Sequence, residues 1–191
     1  MKAILLTIFL VLVPSIGRAQ DSNFLKTAPD TKSEAWWLRT EYQALDAEVR
    51  GIPAAKIRSN WCKATEFRKD LFPPDLAAGF SEKESPFAID GFFDGSKTKQ
   101  TALVGVYQSC KGERGAFFLI LGRPEGKPPT VRYLVEMPGA RQFATVDTVD
   151  ASTIAVTHCM ECDHISKYRW NKTKKRFVLL PPDPDIPMNR R

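Results

Sequence analysis

The chain has 191 residues, 43% of them hydrophobic, which is enough for one domain with a real core. Its formal net charge of +6 is mildly basic, favouring acidic surfaces without marking a nucleic-acid binder. Four cysteines in a chain that opens with an export signal point to disulfides before metal or catalysis.

That signal occupies residues 1–19. Lys2 supplies a positive start, Ala3 to Val13 are apolar, and Gly17-Arg18-Ala19 ends in small residues at cleavage spacing. The apolar run falls short of the roughly 20 residues a transmembrane helix needs, and no other stretch approaches that length. The expected protein is therefore soluble and exported, secreted or periplasmic, and cleavage would remove Lys2 and Arg18, taking the charge from +6 to +4. Residues 20–30 read as a polar lead-in, residues 31–180 as a single domain, and residues 181–191 as a Pro-rich tail that cannot continue a strand.

Residues 31–51 carry a helical pattern. Thr31 and Glu34 form a capping-box pair, and Ala35, Leu38, Tyr42, Leu45 and Val49 make one apolar stripe that Gly51 and Pro53 end. Trp36 and Trp37 widen that stripe, and core packing explains them better than a ligand platform. A second, shorter helix is expected over 63–72, with Phe67 and Leu71 on one face and Pro73-Pro74 as the stop.

The centre of the chain is a core-building unit over 87–121. Phe87-Ala88-Ile89 leads to a polar turn at Asp94-Gly95-Ser96-Lys97. Residues 101–107 are apolar on both faces, as in a strand covered on both sides, and Ala116 to Leu121 return the chain. Further short strands follow at 131–137, 142–149, 152–158, 165–170 and 176–180, the spacing of an antiparallel meander. Together these readings predict an α+β fold: two N-terminal helices packed on a mainly antiparallel β-meander sheet. The expected core includes Phe92, Phe93, Leu103, Val104, Val106, Phe117, Phe118, Leu119 and Ile120.

Gly91, Phe93, Asp94 and Gly95, in the pattern Gly-x-Phe-Asp-Gly, precede an apolar strand that contains Ala102. This stretch, 87–107, resembles the loop-and-strand unit of FG-GAP or VCBS-type repeats, the integrin-like blade motif. The resemblance does not extend to the rest of the chain. It implies an acidic, Gly-rich loop that binds calcium and leads into a strand. The match departs at the metal: Phe92 lies between Asp90 and Asp94, Ser96 is a weak oxygen donor, and Gln100 stands where the closing acid belongs. Calcium needs six to eight oxygen ligands, so the blade-like turn is expected here without its ion. Asp90 and Asp94 also form a conceivable carboxylate pair for glycoside hydrolysis, but loop polarity accounts for them more simply.

Reactive side chains concentrate in His158-Cys159-Met160-Glu161-Cys162-Asp163-His164. If the flanking strands form a hairpin, the thiols of Cys159 and Cys162 face each other across its tip. One reading is a zinc site built from Cys159, Cys162 and His164, with Cys62 or Cys110 as a fourth ligand. A redox Cys-x-x-Cys is disfavoured because Glu161 and Asp163 would raise the thiol pKa, and Asp163 stands where c-type haem attachment requires His. The favoured reading is two disulfides: Cys159 with Cys162 from spacing, and Cys62 with Cys110 by elimination.

Residues 167–176 hold six basic residues and no acid, with Tyr168 and Trp170 interleaved. Lys167, Arg169, Trp170 and Lys172 are thus candidates for an anionic surface. A solvated hairpin whose rings alternate inward explains the same residues more simply, and nucleic acid is disfavoured. Asn171-Lys172-Thr173 is also a glycosylation sequon. No nucleophile elbow, His-Glu-x-x-His or phosphate-binding Gly loop is present. The functional expectation is an exported, non-enzymatic binding or envelope-associated module without a cofactor, its partner a protein or an anionic envelope surface. The rival is a zinc-binding or thiol-dependent protein using the Cys/His cluster.

Overall fold

The computed structural model describes residues 23–82, 87–159 and 164–182. The signal segment 1–19 and residues 183–191 of the tail lie outside the described residues. In chain order the elements are β1 (Leu25–Thr27), α1 (Trp36–Arg39), β2 (Thr40–Tyr42), β3 (Glu48–Val49), β4 (Ile52–Pro53), α2 (Ala54–Ile57) and β5 (Trp61–Glu66). A 3-10 turn (Lys69–Leu71) and α3 (Pro74–Glu82) lead to β6 (Ala88–Gly91), β7 (Lys99–Ser109), β8 (Arg114–Arg123) and β9 (Thr130–Pro138). The last four strands are β10 (Thr145–Asp150), β11 (Thr153–Thr157), β12 (Ile165–Asn171) and β13 (Arg176–Leu179).

Two antiparallel sheets carry the fold. The larger has five strands in the order β5-β7-β8-β9, with β6 also paired to β7, and the smaller is the meander β10-β11-β12-β13. β7 and β8 are buried almost throughout because both of their faces are covered. On one face Val104, Val106, Phe118 and Ile120 join Val146, Ile154, Val156, Tyr168 and Phe177 of the meander in one core. On the other, Leu103, Phe117, Leu119 and Leu121 pack with Val49, Ile52, Ala54 and Ile57. The chain around β3, β4 and α2 is thus a lid over the outer face of the larger sheet.

The α+β expectation is overturned: strands make up 48% of the chain against 12% helix, and the helices are short. Over 31–51 only Trp36–Arg39 is helical. Ser33 and Arg50 adopt positive φ (54° and 52°), which a continuing helix excludes. The extended backbone that follows is satisfied from far away: the Tyr42 N–H donates to the Ala140 carbonyl and the Gln43 N–H to that of Phe24. Nor is the apolar stripe one face. Tyr42 enters the inter-sheet core, Val49 enters the lid core, and Leu38 is 55% exposed. The second expected helix is also corrected. Residues 61–66 form β5, paired with β7 from Trp61↔Ser109 to Glu66↔Gly105. Phe92 is 55% exposed rather than in the core, whereas the other eight residues expected there are buried. Trp36 and Trp37 are half-buried against the inter-sheet core.

That core is rich in aromatic rings. Phe24, Tyr42, Phe67, Phe72, Phe80, Phe87 and Phe143 form a continuous cluster, most pairs edge-on or tilted at 4.8–6.5 Å. Within it the Tyr42 hydroxyl is buried without a hydrogen-bond partner among the described residues, and burial pushes its pKa well up. An unsatisfied buried hydroxyl is a cost that phenylalanine removes without changing the shape of the ring. Tyr42→Phe is therefore expected to raise unfolding stability by about 1 kcal/mol, read as a higher urea midpoint at unchanged slope.

Candidate functional site

The Cys/His cluster sits where β11 ends and β12 begins. The His158 N–H donates to the His164 carbonyl at 3.1 Å, closing the hairpin base and bringing the two imidazoles to 4.6 Å between centroids. His158 Nε2 lies 2.9 Å from Ser166 Oγ. Cys159 is buried and disulfide-bonded, so its sulfur is not the thiolate that a zinc site or a thiol nucleophile requires. Cys162, together with Met160, Glu161 and Asp163, lies outside the described residues. Among the described residues no group of three or more His, Cys, Asp or Glu side chains converges on a metal-sized point.

Burial, with the His164 ring adding to it, lowers the His158 pKa from 6.5 to about 4. The unfolded chain then binds a proton at this position between those two values while the folded protein does not. The stability that depends on this neutral imidazole is therefore fully present above pH 6.5 and is lost as pH drops towards 4. Allowing for partial exposure, the loss is on the order of 2 kcal/mol. His158→Asn is expected to flatten that part of the profile, measured as the difference between wild-type and variant unfolding free energies at pH 7 and pH 5.

Cys62 and Cys110 form a disulfide with a Cα–Cα distance of 4.9 Å. The pairing depends on an irregularity in β5: Trp61 pairs with Ser109 and Lys63 with Gln108, so Cys62 is the extra residue between them, and just past β7 the Cys110 N–H donates to the Asn60 carbonyl at 2.9 Å.

The acidic loop between β6 and β7 is closed by cations of the chain itself. Asp94 has a side chain only 2% exposed and receives Arg132 at 3.1 Å, together with the Ser96 N–H at 2.9 Å. Burial alone would raise its pKa, but the Ser96 bonds and the Arg132 charge outweigh burial and hold the carboxyl below its usual range. Asp90 binds Lys99 at 2.8 Å and accepts the Thr101 hydroxyl at 2.7 Å. Gln100, in the closing position of the blade motif, accepts the Asp94 N–H at its Oε1, 3.1 Å away. These residues do not fit a calcium ion, because the oxygens it would need are committed to Arg132, Lys99 and backbone amides. The same ion pairs leave Asp90 and Asp94 no free carboxylate pair for acid–base work.

The basic stretch lies on β12, β13 and their turn. Tyr168 and Trp170 point into the sandwich, Trp170 meeting Phe177 edge-on at 5.1 Å, so the ring of Trp170 is not on the face that carries Lys167 and Arg169. On that outer face Arg169 Nε donates to Thr153 Oγ1 at 2.8 Å and its Nη2 reaches Asp150 at 3.4 Å. The Ser152 amide and the Thr153 hydroxyl hold Asp150 down to about 2. Lys172, Lys174, Lys175 and Arg176 are exposed around the turn, which the Lys174 N–H closes by donating to Asn171 Oδ1 at 2.8 Å. Lys167 and Arg169 also border a shallow groove of about 380 Å³ whose apolar wall includes Val149, Leu180 and Pro181. Strand alternation foretold the cations, but the groove depends on the register that brings Val149 of β10, Thr153 of β11 and the chain after β13 to the same face as Lys167 and Arg169. No signal within a single strand carried that information.

Comparison with family models, curated proteins and solved structures returns no significant match. Among the described residues no helix is long and apolar enough to cross a membrane.

Proposed function

We propose that this chain is an exported, non-catalytic binding module that attaches to an anionic lipid surface of the cell envelope through the β12–β13 hairpin. The observation that carries this reading is the exposed set Lys172, Lys174, Lys175 and Arg176, projecting from a turn whose neighbouring aromatic rings are turned inward. Such a cluster attracts anionic headgroups at about 1 kcal/mol per basic residue near the surface. The N-terminal signal pattern supports export, and the Cys62–Cys110 disulfide suits an oxidising compartment. The β6–β7 turn, with its blade-like resemblance, serves in this reading as a structural turn.

Co-sedimentation with vesicles containing a quarter of anionic phospholipid tests the reading directly. Wild-type protein is expected to bind these vesicles, to release in high salt, and to ignore purely zwitterionic ones. The triple substitution Lys172→Ala, Lys174→Ala and Lys175→Ala is expected to weaken binding about a hundredfold. Equal binding by the triple variant, or binding to zwitterionic vesicles, overturns the proposal.

A further inference from the structure

We infer that His158 and His164, opposed across the base of the β11–β12 hairpin, form a two-imidazole site for a single copper(II) ion. The chain has two histidines, and the fold sets them against each other. The register runs through Val156↔Ser166 and Thr157↔Ile165. The 3.1 Å bond from the His158 N–H to the His164 carbonyl extends it by one pair. Directly opposed residues project from the same side of an antiparallel pair, so both rings leave the sheet together. Their centroids are 4.6 Å apart and their planes are inclined by 33°. His158 is half-buried and His164 exposed, which anchors one ligand and leaves the ion a path from solvent.

That spacing suits a shared ion. A metal about 2.0 Å from one nitrogen of each ring lies about 3.1 Å from each ring centre. Centres 4.6 Å apart then subtend about 95° at the metal, close to the cis angle of tetragonal copper(II). Among divalent first-row metals copper(II) also binds nitrogen ligands most tightly. The hairpin supplies an outer hydrogen bond as well, because Ser166 Oγ lies 2.9 Å from His158 Nε2. A hydroxyl that accepts Nε2–H holds the ring in place and leaves the lone pair on Nδ1, as the outer partners of ligating histidines do. Near neutral pH an imidazole of ordinary pKa is mostly uncharged and able to ligate. Two protein nitrogens leave the remaining positions to water, so this is an open site and not the closed four-ligand cage of a structural zinc. Thiolate does not compete for the ion, since none of the cysteines among the described residues is free. The pair sits at the start of β12, whereas the basic turn of residues 172–176 follows its end. Copper binding therefore goes beyond the lipid reading and stands independently of it.

Titration of the full chain with copper(II) alone, in a non-coordinating buffer near neutral pH, is the first measurement. Wild type is expected to take one ion per chain, with the hyperfine pattern of two imidazole nitrogens in its paramagnetic resonance spectrum. His164→Asn is expected to lose about a hundredfold in affinity, because a chelate becomes a single ligand. Its melting transition should survive, since the ring it removes is exposed. The second measurement needs no variant. With two histidines in the chain, both imidazole C–H signals of wild type are expected to broaden together in the proton spectrum at a small fraction of an equivalent of copper(II). No binding by wild type, coordination through a single nitrogen, broadening of one ring signal without the other, or an unchanged affinity in His164→Asn overturns the inference.

Discussion

Replacing Cys62 and Cys110 together by serine is expected to lower the melting temperature by roughly 8–16 °C. The two residues are separated by 48 positions, and opening a loop of that length costs about 4 kcal/mol in the chain-entropy account of disulfide stabilisation. For a domain of this size each kcal/mol moves the midpoint by about 2–4 °C. The bond ties the start of β5 to the end of β7, so it also holds Trp61 over its partners: the indole stacks on Tyr107 at 4.5 Å and donates to Glu136 at 2.9 Å. Adding a thiol reductant to wild type should reproduce most of the drop, and the variant should not respond at this bond. A midpoint that moves by less than about 2 °C would show that the denatured chain is already constrained by other means.

This pairing was legible in the sequence, and the reasons separate what was readable from what was not. Residues 101–121 could be assigned because β7 and β8 are apolar on both faces, a pattern that belongs to strands covered on two sides. The meander was legible because Ile154 and Val156, and then Tyr168 and Trp170, alternate with polar neighbours, and period two has one structural meaning. The N-terminal third failed for the opposite reason. Ala35, Leu38, Tyr42, Leu45 and Val49 match a helical period, yet Tyr42 and Val49 are buried on opposite faces of the larger sheet. Periodicity reports a shared face only when all the residues meet one partner, and here the chain crosses from one core to the other. The acidic loop shows the same limit at the site. Asp90 and Asp94 were visible, but Arg132, which closes Asp94, comes from a strand 38 residues later. The sequence-level departures at Phe92, Ser96 and Gln100 pointed the right way without revealing the cation.

β5 itself was the hardest element to foresee, because its place depends on an absence of side chain in another strand. Gly105 of β7 is the register partner of Glu66. A Cβ built there would lie 2.3 Å from the Thr65 carbonyl oxygen, 2.7 Å from Phe117 Cζ and 2.9 Å from Glu66 Cα. Two of those three neighbours are backbone, so no side-chain rotation relieves the clash, and β5 must move as a strand. It is not free to do so. Thr65 Oγ1 accepts the N–H groups of Leu45 and Asp46 at 2.7 and 3.0 Å, the Ala64 N–H donates to the Asp46 carbonyl, and the buried Glu66 carboxylate takes Arg50 in a two-pronged bond. Displacing β5 therefore strains the N-terminal layer that it anchors. Gly105→Ala is expected to destabilise by about 3 kcal/mol, the upper end for overpacking a filled core, and to lower the midpoint by roughly 6–12 °C. Gly79 provides the control. It lies within α3, where a Cβ meets nothing within 4 Å, so the same substitution relieves only the entropic penalty of glycine in a helix and should stabilise by about 0.5–1 kcal/mol. Denaturant melts of the two alanine variants should thus shift in opposite directions. A Gly105→Ala protein as stable as wild type would mean that β5 does not sit against β7 at the distance that makes glycine necessary.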